Sequence, residues 1–121
     1  MTQTDKELLL KDICSRLPYG VKVEYENEIF DVEHVCPMYE EVKLDIPETW
    51  TIDVLEVKPY LFPMSSMTEE QNLEYLSTCR GGNAYCPTYK SFDWFDVHHF
   101  DYRGLIEKSL ALDATNLGIY E

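Results

Sequence analysis

Asp45 is followed eleven residues later by Glu56-Val57-Lys58. Two carboxylates can hold a divalent cation and a nearby lysine can support an attacking water, which is a donor set for metal-assisted hydrolysis. That chemistry needs all three side chains at one edge of a sheet. A Glu-x-Lys on an alternating strand equally describes a solvent face carrying an ion pair. Asp93, Asp96 and Asp101 beside His98 and His99 offer an acid and base cluster, since titratable groups in different environments can divide the two roles. Asp93, expected near the start of a short helix, also has a structural use against the positive end of the helix dipole.

Cys79, Cys86, His98 and His99 are zinc-ligand types. Structural zinc sites bring their ligands in as close pairs, which Cys-x6-Cys followed by adjacent histidines does not supply. No metal and no cofactor is therefore expected. Ser65-Ser66 lies in no nucleophile motif, and Gly81-Gly82 reads as a helix stop rather than a phosphate cradle. The remaining constellation is electrostatic. Glu24, Glu26, Glu28, Asp31 and Glu33 follow one another with no basic residue among them. Like charges this close disfavour one another by a few tenths of a kcal/mol per pair, a repulsion that a basic partner relieves.

These groups must be positioned by a chain of 121 residues with a net charge of −13. That length suits a single domain spanning 1–121 with one core. A hydrophobic content of 45%, with nine Tyr, five Phe and two Trp, supplies the apolar area that offsets chain entropy. The negative field repels phosphate backbones and anionic headgroups, so no direct nucleic-acid binding is expected, and a basic protein is the favoured partner. The opening residues Met1 to Asp5 are polar, and no apolar run is long enough for a membrane span. The protein is read as cytoplasmic, with Cys14, Cys36, Cys79 and Cys86 reduced.

The elements follow from periodicity. Thr4 with Glu7 forms a capping box ahead of Leu9, Leu10, Ile13, Cys14 and Leu17, predicting a helix over 4–17. The period then switches to two, predicting strands over 21–25, 29–35, 41–46 and 51–57 with a turn at Glu26-Asn27-Glu28. Pro59-Tyr60-Leu61-Phe62-Pro63 is expected outside any regular ladder, pressing its aromatics into a core shared with Trp94 and Phe95. Thr68 with Gln71 caps a helix over 68–80, and Ser91 is expected to cap a short one carrying Phe92, Trp94 and Phe95. The segment 110–120 is left open between helix, strand and extended chain. The fold class is α+β: an N-terminal helix, a small antiparallel four-stranded sheet as a meander or partly open barrel, and short C-terminal helices.

Three stretches carry a resemblance: Leu17-Pro18-Tyr19-Gly20-Val21, the run from Lys58 to Gln71 through Phe62-Pro63-Met64-Ser65-Ser66, and His98-His99-Phe100-Asp101-Tyr102-Arg103-Gly104 with Leu105 to Lys108. Together the chain resembles small proteins encoded by phages, prophages and mobile elements of gut Bacteroidales. The resemblance implies a genomic setting and brings no catalytic residue or cofactor with it. The reading favours binding over catalysis: an accessory binding or inhibitor protein that meets a basic host or phage protein through Glu24, Glu26, Glu28, Asp31 and Glu33. The alternative is a small metal-dependent nuclease or hydrolase using Asp45, Glu56 and Lys58, whose Asp…Glu-x-Lys pattern is similar to that of restriction-endonuclease-like nucleases.

Overall fold

The computed structural model describes residues 3–46 and 51–120. Helix α1 (Gln3–Arg16) buries Leu9, Asp12, Ile13 and Arg16. That is the i, i+3, i+4, i+7 stripe of a core-facing helix with two charged members in it. Thr4 lies inside the helix, so the Thr4 and Glu7 box does not mark its start.

Among the described residues six strands form one mixed sheet, in the order β4-β3-β2-β1-β5-β6. Strands β1 (Lys22–Tyr25) and β2 (Glu28–Cys36) pair antiparallel from Tyr25↔Glu28 to Lys22↔Asp31. The two residues between them, Glu26 and Asn27, both have positive φ (50° and 65°). This matches the right-handed strand twist in a two-residue hairpin. Strand β3 (Glu41–Leu44) pairs with β2 across an irregularity between Val32 and His34, and the two-residue β4 (Ile52–Asp53) closes that side. Val21, Val23, Val42 and Leu44 alternate into a core with Leu9 and Ile13 of α1 and with Leu61, Leu105 and Leu110.

Two features depart from the expected four-stranded antiparallel sheet. The strand expected over 51–57 stops at Asp53, whose carboxylate accepts the Leu55 N–H at 2.9 Å and caps a single 3-10 turn over Val54–Glu56. The proline-flanked run, expected outside the ladder, instead forms β5 (Lys58–Leu61), antiparallel to β1 and parallel to β6 (Leu112–Asp113). Pro59 is tolerated because backbone groups alternate sides along a strand. Leu61 accepts from Ala114 N on the β6 side at 2.8 Å. Pro59 shares that orientation, but the β6 ladder begins only at Tyr60, so its missing N–H breaks no rung.

Beyond the sheet, α2 (Glu69–Thr78) starts on the expected box, with Gln71 N donating to Thr68 Oγ1 at 3.1 Å and Thr68 N to Gln71 Oε1 at 2.9 Å. Helix α3 (Tyr89–His98) begins two residues before Ser91, whose hydroxyl accepts the Thr88 N–H at 3.0 Å. Asp93 thus sits in mid-helix, away from the dipole end assigned to it. Aromatic contacts link α2, α3 and the segment after β5 beside the main apolar cluster, which takes in Leu61 but not Phe62, Trp94 or Phe95, so the single shared core expected for them is not what forms. Trp94 stacks on Phe100 at 5.5 Å, Phe100 meets Phe62 at 6.1 Å, and Tyr75 stacks on Phe95 at 4.9 Å. No helix among the described residues is long and apolar enough to cross a membrane.

Candidate functional site

The strand order decides where the hydrolase residues lie. Asp45 follows β3 and bonds through its N–H to Asp31 O of β2 at 2.9 Å, whereas Lys58 opens β5 opposite Glu24 of β1. Strands β2 and β1 lie between them, a separation of roughly 14 Å at three interstrand spacings. Glu56 is exposed on the 3-10 turn instead of on a strand shared with either. The three are not brought to one edge. Among the described residues, no group of three His, Cys, Asp or Glu side chains converges on a position for a metal ion.

The acidic hairpin divides into two parts. Asp31 is bound by Lys22 Nζ at 2.7 Å, and Glu33 is bound by Lys43, which also holds its carboxyl below the usual range. The other three stand at the turn. Glu24 accepts the Asn27 N–H at 2.9 Å, and Glu26 and Glu28 are exposed. Among the described residues no ion pair engages Glu24, Glu26 or Glu28. Burial and the charges of Glu26 and Glu56 raise the Tyr25 hydroxyl above its ordinary range, so Glu56 extends the negative rim around that tyrosine. Ile29, across from Glu24 and on the opposite face from Tyr25, is 52% exposed.

The histidine and aspartate cluster is used internally. Asp96 is buried and accepts from Ser15 Oγ at 3.2 Å and Tyr102 OH at 3.1 Å. Desolvation pushes its carboxyl up, against the pull of Arg16, Tyr102, Arg103 and Ser15. Asp101 accepts the Leu105 and Ile106 N–H groups at 2.8 and 2.9 Å, closing the turn after α3. Beside them lies a network that periodicity did not single out. Asp12, wholly buried, takes Arg16 through two bonds of 3.0 and 3.1 Å and Arg103 at 2.7 Å. Arg16 then donates to Phe100 O at 2.6 Å, beyond the C-terminus of α3. A buried ion network of this kind fixes how α1 meets α3, because removing one member strands the other charges. Its sequence signal was an opposite-charge i, i+4 pair on the face of Leu9 and Ile13.

A cleft of about 540 Å³ opens between the α3 terminus, α2 and the segment 114–120. His98, His99, Gln71, Phe62, Tyr19 and Tyr120 are among its walls. Tyr120 is its keystone. The ring stacks on His99 at 3.8 Å and 12°, and the hydroxyl accepts Lys22 N at 3.0 Å while donating to Tyr60 O at 2.7 Å. That hydroxyl stands where the next β1 to β5 rung, after Val23↔Pro59, would form. Burial pushes it up to about 12. Burial first, then the charges of Arg16 and His98, lowers His99 to about 4, against opposing contributions from the Tyr19 backbone and Asp12. His99 is thus neutral, and it holds its place at positive φ (60°) as the end of α3. No sequence signal pointed to Tyr120, because its backbone partners lie 98 and 60 residues away.

The four cysteines are unpaired: Cys79 is buried, Cys14 and Cys36 are half-buried, and Cys86 is exposed. Comparison with protein-family models, curated proteins and solved structures finds no match.

Proposed function

We propose that this protein is an accessory binding protein that docks a basic protein partner on the tip of the β1–β2 hairpin. The observation that carries the reading is the division among the five carboxylates. Asp31 and Glu33 are neutralised by Lys22 and Lys43, while Glu24, Glu26 and Glu28 at the turn carry no ion pair among the described residues, and the exposed Ile29 lies across from Glu24. An apolar centre with a charged rim is the anatomy of a protein interface. Complementary charge on a partner speeds association and gives it salt sensitivity. The sequence expectations of a cytoplasmic setting and of a resemblance to proteins of phages and mobile elements suit this reading by analogy alone.

The test compares two variants of equal charge change. Glu24, Glu26 and Glu28 are changed to Gln in one, and Glu69, Glu70 and Glu74 of α2 in the other. Proteins captured from bacterial lysate by each are identified and eluted along a salt gradient. A docking face retains a defined partner with the wild type and the α2 variant and loses it with the hairpin variant. Equal loss in both would reduce the interaction to bulk charge, and equal retention would remove the hairpin from it.

A further inference from the structure

The chain carries 23 Asp and Glu, yet among the described residues none lines the cleft beside Tyr120, nor the adjoining hollow of about 230 Å³ that shares Phe62, Gln71 and Asn116 with it. Among the described residues the one Lys or Arg in the walls, Lys22, is bound by Asp31 at 2.7 Å. A cation would find no counter-charge there, and an anion would meet a field of −13 with no free lysine to hold it. The walls favour an uncharged occupant. Phe62, Tyr19 and His98 offer ring surfaces that accept flat π systems. Gln71 and Asn116 offer amides; the Gln71 oxygen is held by Thr68 N at 2.9 Å, which leaves its NH₂ to donate. Two polar atoms in these walls, His99 Nδ1 and Thr115 Oγ1, are buried with no hydrogen-bond partner among the described residues. Buried polar groups are normally partnered, so this unused capacity is unusual. His99 is only 6% exposed.

We propose that this cleft binds an uncharged planar heteroaromatic molecule with hydrogen-bond donors and acceptors on its edge, of the size of a nucleoside. The volume lies within the range of small-molecule sites. The ring lies against Phe62, and its edge meets the Gln71 and Asn116 amides. The site is separate from the acidic hairpin tip, and neither depends on the other.

Saturation-transfer NMR with adenosine, uridine and nicotinamide tests it, with AMP and 1-methylnicotinamide as anionic and cationic counterparts. Val97, at the cleft wall and 44% exposed, is changed to Trp to block the mouth; Tyr19, 41% exposed, is changed to Ala to remove a ring wall. Both positions are open enough for the fold to survive, and Gln71 is left alone because it caps α2. At least one neutral ring should bind, its charged counterpart should bind at least tenfold more weakly, and each variant should weaken binding about tenfold. The proposal is overturned by the absence of signal from all three neutral compounds at millimolar concentration, by equal binding to V97W, or by tighter binding of AMP than of adenosine.

Discussion

His99 is a histidine that folding keeps uncharged. Its ring is stacked under Tyr120 and its pKa falls from 6.5 to about 4. The unfolded chain therefore takes up a proton near pH 6.5 that the folded chain refuses until about pH 4. Stability from this group is fully present above pH 6.5 and is lost as pH falls from there towards 4, a contribution on the order of 3 kcal/mol. Carboxylates also titrate in that range, so the measurement is a difference. His99→Asn suits the positive φ at this position. In urea melts at pH 7 and pH 4.5, the wild type should lose roughly 2–3 kcal/mol more than H99N. Parallel losses would mean that His99 titrates normally in the folded protein. The same scale explains Asp12 and Arg16: a carboxylate and a guanidinium are admitted to the core because each satisfies the other.

At the level of elements, the join between β1 and β5 is completed by a side chain. The Tyr120 hydroxyl satisfies Lys22 N and Tyr60 O, backbone groups that a full ladder would have paired with each other. Tyr120→Phe keeps the ring on His99 and leaves both groups unpaired, at a cost of about 1–3 kcal/mol. Amide exchange at Lys22 should accelerate in this variant while exchange at Val23 stays slow. Unchanged exchange at Lys22 would mean that the strands can close the rung themselves. The hairpin and α2 needed no such help. Glu26 and Asn27 take the turn geometry directly, and Thr68 with Gln71 satisfies the first donors of the helix from within four residues.

Across the whole molecule, a net charge of −13 acts on a domain with few internal ion pairs, so self-repulsion opposes the compact state. Salt should relieve it. Raising NaCl from about 10 to 300 mM shortens the Debye length from roughly 30 to 6 Å, and the midpoint of thermal unfolding should rise. A falling midpoint would assign more stability to the Lys6–Asp53, Lys22–Asp31 and Lys43–Glu33 pairs than exposed ion pairs usually contribute. The hairpin variant E24Q/E26Q/E28Q removes three unpaired charges and should itself melt slightly higher at low salt.

Much of the fold was legible in the residues because its causes are local. The helix of α1, the β1–β2 hairpin and the capping box of α2 rest on spacing within a few positions. The strand order was not legible, because pairing energies between short strands resemble one another and depend on which faces the whole chain can bury. Tertiary structure alone set β5 beside β1 despite Pro59, separated Asp45 from Lys58, and gave Lys22 and Lys43 to Asp31 and Glu33. It also built the cleft, whose walls come from residues 19 to 120. A chain declares which side chains it carries, and only folding decides which of them face one another across a hundred residues.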